Sequence, residues 1–391
     1  MCAWRCHAML RARRSALGAR RQKRSKATLC IGIGDNGEGL LRFLWVALIA
    51  ITPFFSGCYV LSQAFYQNSL MNTRLSVEKV IADKNTDQKV KKKLQKTRSI
   101  LAFASKNGLN VEQSYNYYIP MQGPYVSHIV SAAHKDRLKS VTFWFPIVGS
   151  VPYIGFFHEK DRDAKAKELQ EEGYDITKGG VSAFSSLGWF SDPIYKSMLR
   201  RSDARLAHLF FHELTHRTYW SIGSVKFNEN LAEYVAMYLT RAYLAEIGAK
   251  KQLLRYDRKL VDKKKYKKWL KKLRSRLKEN YQKDIPLKDK LTQKSLIFKE
   301  FLTTYFPAFT TRYYKSLAKR EWNNAVVLAS SLYSPDTERF QKAHTCLKKR
   351  HEMAPVTIGQ FLEALSEAEE EHDDAFAALD HLCLIKGSNN D

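Results

Sequence analysis

The segment 211–217 constrains the fold of this chain most, because it contains the pattern H-E-x-x-H at His212, Glu213 and His216. On a helix, residues four apart leave the same face one turn apart, so both imidazoles can reach one zinc ion. Glu213 follows the first histidine and can accept a proton from water held at that ion. Apolar residues recur at three- and four-residue spacing around the motif, which predicts a helix that begins near residue 202.

A second helix is predicted shortly after the motif. A catalytic zinc site needs a third protein ligand and one open position. Glu229 opens a segment in which apolar residues follow one helix face, and Asn228 suits the N-cap of that helix. A short turn around Gly223 would let this helix pack back on the first. Glu229 would then point at the metal.

Three further side chains are predicted to support the ligands or the core. Glu233 lies one turn further along the second helix, where a carboxylate can accept a hydrogen bond from a ligating imidazole. An ordinary surface carboxylate is the alternative for Glu233. Asn228 is the other candidate for a supporting residue. His208 would lie about 12 Å from His216 along the helix axis, too far for both to bind one ion, so we expect it in the core or beside the ligands.

Four stretches carry a resemblance to known proteins. The blocks 211–216 and 227–229 resemble the gluzincin arrangement of thermolysin-like peptidases. The stretches 179–193 and 55–59 are similar to those of a bacterial family of predicted zinc aminopeptidases, many of them lipoproteins. The similarity extends from about residue 55 to about residue 340.

This resemblance implies a fold, a cofactor and a set of roles. The fold would be α+β: a mostly helical zinc-metallopeptidase domain with a small antiparallel sheet before the metal helices. His212, His216 and Glu229 would hold one Zn²⁺ ion, and Glu213 would be the general base that acts on a peptide substrate. The resemblance supports metallopeptidase activity more strongly than aminopeptidase activity in particular.

Residues 1–57 are predicted to be a signal or targeting segment. A basic region at 11–26 precedes an apolar run at 43–55 that is too short for a typical spanning helix. Two small residues then precede Cys58, which resembles a lipobox, so cleavage would leave a lipid-modified N-terminal Cys58. An uncleaved membrane anchor is the alternative. The predicted location is the bacterial cell envelope facing the periplasm, and Tyr59 favours the outer membrane by analogy.

The formal net charge of +26 predicts attraction to anionic surfaces. The segment 263–277 is a basic amphipathic helix with apolar residues on one stripe. We expect that stripe to dock on the protein core, with binding to anionic lipid as an alternative. Nucleic acid is not an expected partner, because no recognition fold is visible. The stripe contains Tyr266, Trp269, Leu270, Leu273 and Leu277.

The rest of the chain is divided by composition. Residues 58–110 are predicted to form a helical N-terminal segment, 111–345 the metallopeptidase domain and 346–391 a C-terminal helical tail. β-Branched and aromatic residues predict strands between 115 and 177, with a helix at 161–172. Val181–Phe184 is predicted either to be an edge strand that binds substrate backbone or to be a plain core strand.

Several smaller features leave alternatives open. Cys346 and Cys383 could pair in an oxidising compartment or remain unpaired and buried. The segment 322–325 and Tyr333 could supply an oxyanion donor, although core packing is the favoured interpretation. The segment 363–374 is predicted to be an acidic helix with a solvated face.

Two functions from different classes follow from these patterns. The first is a zinc-dependent peptidase, more narrowly an aminopeptidase, tethered to the envelope; no residue pattern separates exo- from endopeptidase action. The alternative is a catalytically silent envelope lipoprotein that uses its basic surface for binding. A different metal-dependent hydrolase on the same scaffold is a third hypothesis.

Overall fold

The computed structural model describes residues 66, 68–112, 114–145, 149–181, 192–332, 336–350 and 356–384. The predicted targeting segment, the lipobox with Cys58, residues 182–191 and Tyr333 lie outside these residues. The described part of the chain is mostly helical with small sheets, which confirms the predicted α+β class. Within that part, no helix combines the length and the apolar run that crossing a membrane requires.

The described strands are short. In chain order they are β1 (Leu75–Ser76), β2 (Tyr117–Ile119), β3 (Ser127–Ala133), β4 (Phe143–Phe145), β5 (Gly149–Val151), β6 (Ile154–Phe156), β7 (Asp175–Val181) and β8 (Ile194–Tyr195).

Helices occupy most of the described remainder. They are α1 (Val77–Ala82), α2 (Gln88–Lys106), α3 (Glu159–Glu171), α4 (Lys196–Leu199), α5 (Asp203–Thr218), α6 (Val225–Glu246), α7 (Lys250–Gln282), α8 (Leu287–Tyr305), α9 (Arg312–Ser316), α10 (Asn324–Leu332), α11 (Glu338–Arg350), α12 (Ile358–Glu370) and α13 (Ala375–His381). Two short 3₁₀ helices, Phe306–Ala308 and Leu317–Lys319, flank α9.

The chain divides into two compact units. Among the described residues, the smaller unit contains 66, 68–73 and the antiparallel hairpin of β4 and β5, in which Trp144 is exposed. The larger unit contains the other strands and all the labelled helices. Every described residue of the predicted site belongs to this larger unit.

The sheets of the larger unit differ from the single antiparallel sheet predicted from sequence. One has the order β6-β3-β7 and is antiparallel throughout, with Ser127 opposite Val181 and Ala133 opposite Asp175. The other has the order β1-β2-β8, and its β2–β8 pair is parallel. Periodicity predicts strands but not their partners, because pairing depends on contacts between distant parts of the chain.

Strand β7 continues beyond residue 177, the predicted end of the strands, through Gly179 and Gly180 to Val181. A Cβ on Gly180 would lie 2.2 Å from the Tyr125 ring, so only glycine allows that ring to cover the strand. Within the described residues, β7 lies at an edge of its sheet and pairs with β3 alone. Of the predicted substrate-binding edge strand, only Val181 is described.

Helices α5 and α6 pack against each other through fully buried side chains. Phe210 and Phe211 of α5 and Phe227 and Leu231 of α6 are inaccessible to solvent. Helix α2 covers the pair, and its Phe103 ring lies 5.8 Å from that of Phe211. This burial makes the two helices a rigid support for any side chains that leave their shared surface.

The turn between these helices is fixed by Asn228, but not in the predicted way. Helix α6 begins at Val225 with Ser224 at the N-cap, so Asn228 lies inside the helix rather than at its cap. The Ser221 N–H donates to Asn228 Oδ1 at 2.9 Å, and Asn228 Nδ2 donates to the Ser221 carbonyl at 2.7 Å. The helix begins about one turn earlier than predicted. The Asn228 side chain forms hydrogen bonds with the backbone of the preceding loop instead of capping the helix end.

The basic amphipathic helix lies within α7, and its apolar stripe packs on the core as expected. Leu270, Leu273 and Leu277 are buried in a cluster with residues of α8 and α10, and Tyr266 and Trp269 pack against it. The opposite face carries exposed cations: Lys264, Lys267, Lys268, Lys271, Lys272, Arg274 and Lys278.

The segment 322–325 serves the core. Trp322 lies in the same apolar cluster and donates Nε1–H to the Leu317 carbonyl at 3.0 Å. Asn324 is fully buried: its Nδ2 donates to the His134 carbonyl at 2.8 Å, and its backbone N–H donates to Asp175 at 2.9 Å. The described residues of this segment therefore join the β3–β7 sheet to the helices, in agreement with the core-packing interpretation.

The C-terminal helices are tied together covalently. Cys346 of α11 and Cys383, just after α13, form a disulfide with a Cα–Cα distance of 5.2 Å, which settles the alternative left open by the sequence. The predicted acidic helix at 363–374 is instead the end of α12, a turn, and the Asp374 cap of α13.

Candidate metal centre

The H-E-x-x-H motif occupies the last turns of α5. His212 and His216 leave the same side of this helix, and their Nε2 atoms lie 3.3 Å apart. The two rings are nearly perpendicular, with centroids 4.9 Å apart. The indole of Trp220 lies against His216, with ring centroids 5.6 Å apart. Both imidazoles therefore direct the same kind of ring nitrogen towards one point.

Glu229 reaches that point from the first turns of α6. Its Oε2 lies 3.5 Å from His212 Nε2, and its Oε1 lies 3.5 Å from His216 Nε2. Ligands at zinc bond lengths in a tetrahedral site lie about 3.3 Å apart. The three separations match that value closely. The group of His212, His216 and Glu229 could hold a metal ion.

The cluster lies at the edge of the core. The side chains of His216, His212 and Glu229 are 2%, 15% and 29% exposed, so the cluster is reached from the Glu229 side. Burial lowers the pKa of His212, but a hydrogen bond to Glu229 and the nearby charge of Glu213 outweigh this effect and raise it above its ordinary value. The surrounding carboxylates thus create a negative potential that favours a cation.

Glu213 lies between the two histidines in sequence and is buried, at 4% exposure. Its charge acts on both Tyr115 and Arg201. Burial raises the pKa of Tyr115, and the charges of Asp192 and Glu213 raise it further. A buried carboxylate beside a metal-binding cluster can act as a proton acceptor, which is the role that the sequence predicts for Glu213.

Tyr115, whose hydroxyl interacts electrostatically with Glu213, was not predicted from the sequence. Its backbone φ of 65° is in the left-handed region, which non-glycine residues rarely adopt. Its N–H donates to the Asp192 carbonyl at 2.7 Å, and its ring packs edge-on against Phe210 at 4.5 Å. The strain is maintained by these contacts around the motif helix. No pattern in the sequence indicates it, because the contacts join distant segments.

The structure places Glu233 against partners other than the ligand imidazoles. Its Oε2 lies 3.3 Å from His208 Nε2, and Lys263 of α7 donates to its Oε1. His208 Nδ1 in turn lies 2.8 Å from the Tyr256 hydroxyl oxygen. Burial raises the pKa of Glu233, but His208 and Lys263 outweigh it and hold that pKa well below its usual range. These side chains connect α5, α6 and α7 one turn away from the candidate ligands.

The fold and this cluster define a class: an α+β protein whose paired helices carry a His-His-Glu group that could hold a metal. The chain matches the family described as "Putative aminopeptidase" over residues 58–373 and belongs to that family. This confirms the predicted resemblance at the level of an aminopeptidase family. No curated protein and no solved structure matches the chain.

Proposed function

We propose that this protein is a zinc-dependent peptidase, and specifically an aminopeptidase. His212, His216 and Glu229 would hold one Zn²⁺ ion, and Glu213 would be the general base. The observation that carries this proposal is the convergence of three side chains, whose closest pairs of ligand atoms lie 3.3, 3.5 and 3.5 Å apart. Two imidazoles and one carboxylate are a known donor set for catalytic zinc. The family name supports aminopeptidase activity.

The residues of the chain would divide the chemistry as follows. A zinc ion, when bound, polarises a water molecule and the scissile carbonyl and lowers the pKa of the water towards neutrality. The Glu213 carboxylate accepts the proton that the attacking water releases and passes it to the leaving amine nitrogen. Since Glu213 is buried on the same helix as both histidines, it needs little reorganisation to do so.

The packing around α5 and α6 would keep this geometry fixed. The Asn228–Ser221 hydrogen bonds hold the turn that brings Glu229 towards the histidines. The link from His208 through Glu233 to Lys263 holds α7 beside the same helix pair. A preorganised ligand set binds its metal more tightly because no side chain has to be ordered on binding.

We further propose that the protein is tethered to the bacterial envelope through lipid-modified Cys58 and faces the periplasm. The family match begins at residue 58, the predicted first residue after cleavage. The Cys346–Cys383 disulfide fits an oxidising compartment. A Cys58→Ala variant should lose incorporation of labelled fatty acid and leave the membrane fraction, and retained labelling would contradict the assignment.

The test of the activity uses two matched peptide libraries, one with free and one with acetylated N-termini. We expect removal of the first residue from free peptides only, loss of cleavage on chelation, and recovery when zinc is added. Cleavage inside both libraries would indicate an endopeptidase. No cleavage by zinc-loaded protein would favour the alternative, a silent lipoprotein that binds anionic lipid or another polyanion through the exposed cations of α7.

A further inference from the structure

A second group of metal-ligating side chains lies far along the chain from the motif, where α12 ends and α13 follows. Glu371, His372 and His381 each offer one ligand atom, and these atoms all lie within 4.8 Å of one another. His372 and His381 stand with ring centroids 4.6 Å apart. His381 Nε2 lies 3.9 Å from Glu371 Oε2. The sequence suggested only a solvated acidic face here.

His372 supplies an observation that is independent of this proximity. Its Nε2 is buried and has no hydrogen-bond partner among the described residues. A buried ring nitrogen without a partner loses the hydration it would have in solvent. Binding a cation through that nitrogen would remove the penalty. A plain solvated helix end would leave the same nitrogen facing water.

The surroundings of this group also favour a cation. In a chain of net charge +26, the residues beside it are acidic. The exposed acids are Glu367, Glu370, Asp373 and Asp374, whereas the exposed Asp380 is paired with Arg339. Such a local reversal of sign concentrates divalent cations near the two imidazoles.

The backbone around the group is held in place on both sides. The Thr357 capping box and the buried stripe of α12 fix the helix that ends at Glu370. Cys383, two residues beyond His381, is bonded to Cys346 of α11. Glu371 is 71% exposed, so its side chain can rotate to close the remaining distance to about 3.3 Å.

We infer that Glu371, His372 and His381 form a second metal site, which binds a divalent transition ion of the zinc class. The two imidazoles favour Zn²⁺, Ni²⁺ or Cu²⁺, because Ca²⁺ and Mg²⁺ prefer oxygen ligands. The bound ion would join the end of α12 to α13 next to the disulfide. This inference does not depend on the proposed peptidase activity.

Calorimetric titration of Zn²⁺ into the full chain tests the site once the first cluster is removed by His212→Ala with Glu229→Ala. We expect one remaining zinc equivalent. His381→Ala or Glu371→Gln, added to that background, should raise its Kd at least about tenfold. Glu370→Gln is the matched control, because it removes the same charge from the neighbouring exposed residue; it should change Kd by no more than about twofold. Binding that is absent, or that is insensitive to both His372→Ala and His381→Ala, would overturn the inference.

A second measurement covers the case in which the multiple variants fail to fold. Crystals of the unsubstituted full chain, grown with zinc, should show an anomalous scattering peak between His372, His381 and Glu371. A zinc-soaked crystal without a peak at that position would overturn the inference equally.

Discussion

The two clusters each contain two histidines and one glutamate, but in different surroundings. His212, His216 and Glu229 project from two long helices whose shared surface is buried, and their ligand atoms are 3.3 to 3.5 Å apart. The C-terminal group spans a turn, and its His381–Glu371 separation is 3.9 Å. The first cluster also has the buried carboxylate of Glu213 beside it. Among the described residues of the C-terminal group, no buried acid has that position.

A set of metal-ligating side chains does not by itself make a catalytic site. Metal binding requires only that the ligands converge, and both clusters meet that condition to different degrees. Hydrolysis also requires a proton acceptor held beside the metal. We therefore propose catalysis for the α5–α6 cluster and metal binding alone for the C-terminal one.

Peptide hydrolysis should fall most when Glu229, the carboxylate that faces both histidines of the first cluster, is removed. Glu229→Ala should lose the zinc of that cluster and lower kcat/KM by at least about 10³-fold, because polarisation of water and carbonyl is lost together. Metal analysis should fall from two zinc equivalents to one. Glu246→Ala, at the exposed end of the same helix, is the control and should keep both metal and activity. Full zinc occupancy in Glu229→Ala would require a different third ligand.

The next largest effect is on stability and comes from removing the disulfide beside the second cluster. Replacing both Cys346 and Cys383 by alanine should reduce the free energy of unfolding by about 2–5 kcal/mol, as measured by urea denaturation. Zinc affinity of the C-terminal group should fall, whereas peptide hydrolysis at the first cluster should remain. Equal losses of zinc affinity at the C-terminal group and of hydrolysis at the first cluster would mean that the two regions do not behave independently.

A pH effect is expected where the two regions meet at His344. This buried imidazole lies between the Tyr234 hydroxyl, 2.6 Å from Nδ1, and the Val356 carbonyl, 3.2 Å from Nε2. Burial, together with the charge of Lys348, lowers the pKa of His344 to about 4. In the unfolded chain this imidazole is protonated below about pH 6.5, whereas in the folded chain it stays neutral down to about pH 4. The stabilisation that His344 contributes to folding is therefore fully present above pH 6.5 and is lost as the pH falls towards 4.

The corresponding loss of unfolding free energy is about 3 kcal/mol over that interval. Denaturation curves between pH 4 and pH 7 would measure it, and His344→Gln should flatten the dependence by about one proton. If the free energy of unfolding of His344→Gln changed with pH as steeply as that of the unsubstituted protein, groups other than His344 would cause the pH dependence.

The smallest effect is expected at the turn between the metal helices. Asn228→Ala removes both hydrogen bonds to Ser221 and should cost about 1–3 kcal/mol of unfolding free energy. Asn228→Asp keeps the hydrogen-bond acceptor and loses the donor, so its free energy of unfolding should lie between those of the unsubstituted protein and Asn228→Ala. Zinc affinity at the first cluster should decrease with stability, while affinity at the C-terminal group should not change.

The sequence predicted those features that depend on local spacing. The α5 and α6 helices follow from apolar periodicity, and the convergence of His212 and His216, both on α5, follows from their four-residue spacing. The apolar stripe of α7 was predicted for the same reason. These features are encoded within a few turns of helix, so no knowledge of distant contacts was needed.

The features that the sequence did not predict depend on contacts between distant segments. Lys263 pairs with Glu233 because α7 packs against α6, and the spacing of charges along the chain does not show this. The parallel β2–β8 pair, the Cys346–Cys383 bond and the contact of His372 with His381 are also set by tertiary packing. Helix α6 began earlier than predicted because Asn228 bonds to the preceding loop.

Zinc content and peptide hydrolysis of Glu213→Gln, measured on the same preparation, test the proposed division of roles between the metal ligands and the general base. Glutamine keeps the size of the side chain but cannot accept the proton at neutral pH. We predict unchanged zinc at the first cluster and a fall in kcat of at least about 10²-fold. Normal turnover by this variant, or loss of its zinc, would contradict the role assigned to Glu213.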